Sequence, residues 1–455
     1  MSGFNLIDKR ELDLLASTVS KLAEGYEHLP ELPPAPSTDA MQTVLLNVAE
    51  RMHDNYPYAH PLYAGQMLKP PHPIARTAYQ MAMWVNPNNH ALDGGRASSA
   101  LEKEAVKEIA AMFGFAQSLG HLTSSGTLAN LEALWIAGEI TPDKVITASS
   151  ESHYTHQRIS AVLKLPFEAI PADATGRIDI HALRDRAKSG HLGTVVATAG
   201  TTSFGIVDPI KDIIDLGREF GFRVHVDAAY GGYFALSELP ERLRRDYDAI
   251  AEADSVAIDP HKHGLQPYGC GCVLFSDPSV GKHYRHDSPY TYFSSEELHL
   301  GEISLECSRA GAAATALWAT QSLLPLKKKG TFAQDLDRCR RAAAMLSSRL
   351  SADTRFKVIR EQDLDIVVWA FDDPSPSVAS KLAADTFDIA AEHELHLALI
   401  DVDATLVSDT PSYEGAGSVT CLRSCLMKPQ HIDWVDEIYT RLDVAASAAL
   451  AKRDT

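Results

Sequence analysis

The sequence predicts an α/β protein with a mostly parallel sheet, followed by a smaller α+β unit. Two observations carry this. From about residue 100 the chain alternates helix-period segments with short β-rich runs, the pattern of a layered α/β fold. After Pro325 and Gly330 the character changes, and a long charged helix opens a second unit. With 455 residues and 45% hydrophobic content, the chain can bury a large core and at least one smaller one.

The elements follow in order. An apolar-patterned stretch at 12–22 reads as an arm helix, cut off from the rest by the proline-rich linker LPELPPAPS at 29–37. Helical periods then occupy 100–115, 127–140, 154–165 and 209–220, with a helix-like stretch at 239–252. Strands are expected at 144–148, 194–199, 223–227, 255–259 and 270–275. The second unit runs through a helix at 332–350, an apolar run at 366–371 and a helix at 378–393. The expected division is 1–60 for arm and linker, 61–325 for the large domain and 326–455 for the small one. No internal repeat is visible.

Sixty acidic against 42 basic residues give a formal charge of −18, and the only basic run is Lys327-Lys328-Lys329. Such a surface repels phosphate backbones and anionic lipid heads, so nucleic-acid and membrane partners are excluded. Early charges at Asp8, Lys9 and Arg10 do not suit a signal peptide, and no apolar run approaches the roughly 18 residues of a membrane span. The six cysteines are too sparse for a disulfide framework, which points to the cytoplasm. Cys270/Cys272 and Cys421/Cys425 lack zinc spacing and read as buried thiols.

Chemistry concentrates in four segments. In RVHVDAAYGGYF (223–234) a strand runs into a glycine turn, and His225, Asp227 and Ala229 share a face. A carboxylate beside a small alanine suits a flat aromatic ring: Asp227 can pair with a protonated pyridine nitrogen while Ala229 lets the ring lie close. At about 4 Å and an effective dielectric near 20 that pair is worth roughly 4 kcal/mol. A strand-end Asp capping a turn is the structural alternative. Thirty-five positions on, in DSVAIDPHKHG (254–264), Lys262 ends a strand between His261 and His263. A lysine there can form a Schiff base, and protonated histidine neighbours in a dry pocket would lower its pKa toward the neutral amine. A solvent-facing lysine is the ordinary alternative.

In LTSSGTLAN (122–130) a Ser/Gly/Thr turn opens an apolar helix. Phosphate is the expected guest of Ser125, Gly126 and Thr127, although a plain N-cap leaves a similar trace. His153 in SESHYTH could stack on the ring face opposite Ala229. The pairs His153/His156 and His261/His263 also raise a metal site, but Lys262 interrupts one pair and no carboxylate motif completes a set, so no metal is expected.

In this order, together with HPLYAGQM (60–67), VVATAGTTSFGIVDP (195–209) and SLECSRAG (304–311), these segments resemble the group II pyridoxal 5′-phosphate (PLP) dependent decarboxylases of glutamate, aspartate, tyrosine and aromatic L-amino acids. HVDAAYGG followed at this distance by DPHK is the specific part. The resemblance implies fold type I, PLP as cofactor, and a homodimer with a shared active site and an N-terminal arm packed on the partner. It implies Lys262 as the cofactor-linking lysine, Asp227 as the pyridinium partner and His153 as the stacking ring. Ser125, Thr127 and His261 become phosphate contacts, Thr202 supports the polar edge, and Tyr63 and Arg423 become substrate contacts.

Leu128 and His263-Gly264 depart from the family pattern, and the latter, with CSRAG further on, leans toward the tyrosine/aspartate decarboxylase and sphingosine-phosphate lyase branches. The implied reaction is decarboxylation of an L-amino acid, aromatic or acidic, to an amine and CO2. Its rivals are carbon–carbon lyase chemistry, transamination and a catalytically silent homologue. SPYTYFSS (288–295) reads as a surface loop, and Tyr290 and Tyr292 on it are candidate proton donors to Cα.

Overall fold

The computed structural model describes residues 6, 8–31, 33, 39–90, 94–284, 300, 303–408 and 410–453. Tyr290 and Tyr292 therefore lie outside the described residues. Helix α1 (Lys9–Ala23) starts at Asp8, whose carboxylate accepts from Arg10 N–H at 2.9 Å, and it packs on α3 (Pro73–Met83). Between them α2 (Asp39–Arg51) stands off the body, with Val44, Leu45 and Leu46 more than 60% exposed.

Helix α4 (Arg96–Phe113) leads into a seven-stranded sheet. Its strands are β1 (Leu119–Thr123), β2 (Val145–Ser149), β3 (Phe167–Ile170), β4 (Leu192–Thr198), β5 (Arg223–Asp227), β6 (Ser255–Ile258) and β7 (Gly271–Phe275), in the order β1-β7-β6-β5-β4-β2-β3. Strands β2 to β6 run parallel because helices return the chain between them: α6 (Thr155–Leu163), α7 (Ile180–Ala187), α8 (Ile210–Phe220) and α9 (Glu241–Ala249). No helix separates β6 from β7, which is antiparallel to it, and the connection carries Lys262. Helix α5 (Gly126–Ile140) links β1 to β2.

Register aligns Thr198 with Asp227 and Asp227 with Ala257, so the carboxyl ends of β4, β5 and β6 share one edge. In α/β sheets that edge is where ligands bind.

Helices α10 (Gly311–Leu323) and α11 (Thr331–Ala352) lead to a four-stranded antiparallel sheet. It comprises β8 (Phe356–Val358), β9 (Ile366–Phe371), β10 (Ala398–Asp403) and β11 (Ser418–Cys425), ordered β10-β11-β9-β8. Helices α12 (Pro376–Glu392), α13 (Ala404–Val407) and α14 (His431–Arg453) complete this region. One apolar core, with Val226 and Trp369 among its members, runs beneath both sheets.

Residues 62–66 lie against the second sheet: Ala64 N–H donates to His396 O at 2.9 Å and Cys425 N–H to Ala64 O at 2.8 Å. Nearby, Lys428 Nζ donates to Tyr63 O at 2.6 Å. Burial, with the charge of Lys69 beside it, pushes the Lys428 amine down to about 7. The unfolded chain therefore binds one more proton than the folded chain between pH 7 and about 10, and stability must rise with pH across that window. The expected slope from this residue is about 1.4 kcal/mol per pH unit. Comparing thermal unfolding of wild type and Lys428→Met from pH 7 to 9 checks it. Equal slopes in the two proteins would refute the assignment.

Candidate functional site

Asp227 ends β5 with its side chain buried. Its carboxylate accepts from His156 Nε2–H at 2.9 Å and from Ala229 N–H at 3.1 Å. Burial alone would raise its pKa. The His156 hydrogen bond and charge, the Lys262 charge and the Ala229 amide outweigh it and hold the carboxyl well below the usual range. Two residues earlier, His225 is locked between Asn130 Oδ1 (2.7 Å) and Ser255 Oγ (2.9 Å), and burial pushes it down to about 3. It stands neutral under Asp227, fixing α5 to the sheet.

Lys262 follows β6 in a turn closed by its own N–H to Asp259 O at 2.9 Å. Its Nζ lies 3.0 Å from Asp259 Oδ2. The expectation of protonated histidines beside Lys262 is not met: burial pushes both His261 and His263 below the ordinary imidazole range. His263 faces the core, its ring edge-on to Tyr230 and Phe234 at 4.8 Å and its Nε2 3.2 Å from Asp365, which also accepts from Tyr230 Oη at 2.7 Å. The charged groups around Lys262 are thus anions, Asp259 and Asp227, and not cations.

Ser125 caps α5, its Oγ accepting from Leu128 N–H at 3.3 Å. Among the described residues no acceptor engages the Gly126 and Thr127 amides, which open the helix at the positive end of its dipole. A Cβ at position 126 would lie 2.6 Å from Asp259 Oδ2, so this turn has room only for glycine. His153 Nδ1 lies 2.6 Å from Thr155 Oγ1, and burial lowers its pKa, which leaves the ring neutral.

These groups surround a cavity of about 200 Å³. Nine residues expected at a cofactor line it: Ser125, Gly126, Thr127, His153, Thr202, Asp227, Ala229, His261 and Lys262. Asn130, Thr155, Thr198, Gly200, Tyr230 and Asp259 line it too. Arg423 and Tyr63 are not in the lining. Arg423, on β11, donates to Thr202 O (2.6 Å), Ser203 O (3.1 Å) and Gln66 Oε1 (3.1 Å), and so braces the Thr202 turn from behind. Tyr63 is buried, with Lys428 Nζ 5.2 Å over its ring, and burial pushes its phenol up to about 12.

His156, weighed in the sequence only as half of a metal pair, is the direct partner of Asp227. SESHYTH places it three residues after His153, at the start of α6, and that spacing was its only signal. Asp259 was legible as a residue of DPHK, but its approach to both Lys262 and Gly126 was not.

The family described as "Pyridoxal-dependent decarboxylase conserved domain" matches residues 127–372, more than half of the chain, from the start of α5 to the end of β9. The chain belongs to this family. Among its relatives, the "L-tyrosine decarboxylase" of Enterococcus faecium is 29% identical over 451 aligned residues, covering 76% of this chain and 72% of that protein. The "Probable L-aspartate decarboxylase" of Halobacterium salinarum is 33% identical over 261 residues, 56% of this chain and 70% of that protein.

The fold matches solved structures of mouse CSAD (TM-score 0.77, 19% identity, 97% of this chain and 99% of that one) and of Oryza sativa TDC with PLP and tryptamine (TM-score 0.77, 16% identity, 98% and 99%). The chain is a fold type I, PLP-dependent decarboxylase of amino acids. The cavity fits PLP. Two free helix amides over a glycine suit the phosphate, a carboxylate held ionised suits a pyridinium, Ala229 leaves room for the ring, and a primary amine stands on the wall.

Proposed function

We propose that Lys262 carries the cofactor, Asp227 holds its ring nitrogen protonated, and the Gly126 and Thr127 amides, with Ser125 and His261, take its phosphate. The observation that carries this reading is the convergence of Lys262, the ionised Asp227 and the start of α5 on one cavity. Bound PLP supplies a protonated ring that accepts the electron pair left when CO2 departs. The chain's own residues do the rest. Asp227 keeps the ring nitrogen charged, and His156, donating to that carboxylate, fixes its orientation. His153 and Ala229, both lining the cavity, would hold the ring between them, and Thr202 would support its polar edge. The buried walls strengthen each of these electrostatic contacts.

The substrate we propose is an aromatic or acidic L-amino acid, with Arg423 and Tyr63 on the substrate side. Relatives named for L-tyrosine and L-aspartate support this class. PLP-loaded protein assayed for CO2 release across the common L-amino acids tests the reading, with tyrosine and aspartate expected to lead. Aldehyde or keto acid formed without CO2 would overturn it.

Tyr290 and Tyr292 are proposed as donors of the proton to Cα. Replacing each with phenylalanine removes only the hydroxyl, and one variant should release CO2 normally while yielding less amine. Full amine yield in the double variant would dismiss both.

We further propose a cytoplasmic homodimer, with residues 1–60 as its arm and the chain divided at 325/326. Five of the six cysteines are buried and all are free thiols, as a reducing compartment permits. The apolar side chains of α2, Val44, Leu45 and Leu46 foremost, have no cover in the single chain and form the kind of face that a second copy buries. Leu45→Glu with Leu46→Glu should shift sedimentation from dimer toward monomer. An unchanged dimer would remove α2 from the interface.

A further inference from the structure

A second cavity, of about 650 Å³, opens where the approach to β9 meets the loop after β3 and helices α9 and α11. Its size is that of a small-molecule site. Five arginines line it, Arg177, Arg242, Arg340, Arg341 and Arg360, against two carboxylates, Glu361 and Asp363. In a chain of formal charge −18 this is a strong local reversal of sign.

One carboxylate is already committed. Asp363 accepts from Arg177 Nη2 through both oxygens at 2.9 Å, from Arg242, and from Val207 N–H at 2.9 Å. That cluster ties the two sheets together and needs no ligand. The other three guanidinium groups are surplus to it.

Arg340 donates to two backbone carbonyls, Asp363 O at 3.2 Å and Glu238 O at 2.7 Å, and burial lowers its pKa. Arg341, on the exposed side of α11, reaches among the described residues only the carbonyl of Asp337 at 3.4 Å. Arg360 is the most telling. Its side chain is 6% exposed and its nearest carboxylate, Glu151, is 3.6 Å away. Among the described residues its Nε and Nη1 have no hydrogen-bond partner. Buried donors left open in this way cost about 1–3 kcal/mol, and more when charged, so an acceptor belongs there.

The position of Arg360 is also built. Its guanidinium lies 4.6 Å from the centre of the Phe204 ring. On another side stands Gly176, at φ +84°, where a Cβ would fall 2.3 Å from Nη1. Only a glycine can both hold that left-handed turn at low cost and leave the guanidinium its space. The aromatic face and the bare backbone hold the fork in one orientation before any ligand arrives, which limits the ordering cost of binding.

We propose that this cavity binds a small polyanion carrying two or more phosphate groups, held by Arg340, Arg341 and Arg360. Guanidinium forks pair bidentately with phosphate oxygens, and three of them converging exceed what a single carboxylate would neutralise. The site is separate from the PLP cavity, with which it shares no lining residue.

The test is isothermal titration of PLP-saturated enzyme with inorganic pyrophosphate, so that the cofactor's own phosphate cradle is filled beforehand. One saturable site per chain is expected. Arg341→Gln, exposed and free of packing duties, and Arg360→Gln should each weaken it at least tenfold, with circular-dichroism melting curves establishing that both variants are folded. Three results would overturn the proposal: no saturable heat, affinity unchanged in the folded double variant, or binding seen in the apoenzyme and lost once PLP is added.

Discussion

Replacing Lys262 by alanine should leave a folded protein with no measurable turnover. Among the described residues Lys262 is the only lysine that lines the cavity, so no second amine stands ready to take its place. The cost to folding should be small. Its side chain is 23% exposed, and its one ion pair, to Asp259, is partly screened. Removing it leaves the Asp259 carboxylate buried without its cation, beside Gly126 and the α5 amides, and some loss of cofactor affinity should follow from that repulsion. The second readout is covalent. Borohydride should fix PLP to the wild-type chain and raise its intact mass by the cofactor, whereas the variant should gain no mass. A variant that still gains that mass would show that another lysine carries the cofactor.

Much of the scaffold was legible because its signals are local. Strands β2, β4, β5, β6 and β7 are runs of apolar residues bounded by helical periods, and they lie within a few residues of expectation. Strands β1, β3, β8, β10 and β11 escaped. β1 (LGHLT) is short, holds a glycine and a histidine, and pairs with β7 some 150 positions away, so nothing near it in the chain announces a strand. Arg423 was recognised while the strand that carries it was not.

The same limit applies to charge. Histidines flanking a lysine look cationic in a sequence, but His263 is fully buried and the His261 side chain is 8% exposed, and desolvation decides against the proton. The five arginines of the second cavity come from positions 177, 242, 340, 341 and 360, too dispersed to show against a net charge of −18.

Asp227→Asn should retain PLP but lower kcat by about three orders of magnitude. Asparagine keeps the volume: its single oxygen can accept from the Ala229 amide, and its NH2 can donate to His156 Nε2 once the imidazole carries its proton on Nδ1 instead. What the amide lacks is charge. An ion pair at about 4 Å in an effective dielectric near 20 is worth roughly 4 kcal/mol, and each 1.36 kcal/mol is a factor of ten in rate. On the proposed pairing with Asp227, the ring nitrogen would then lose its proton and the ring would accept electrons less well.

The pH behaviour separates this from a folding defect. The Asp227 carboxyl is held well below the usual range, so in the wild type it stays ionised as pH falls through the ordinary carboxylate values near 4. Its contribution to stability is present above that value and is lost only as pH falls toward the depressed folded pKa. The loss of kcat in the variant should therefore be constant between pH 5 and 8, with no acid limb in the wild type traceable to this residue. A deficit that disappears at one end of that range would move the role to another group. Wild-type turnover with cofactor bound would remove Asp227 from the mechanism and leave it as the residue that orients His156.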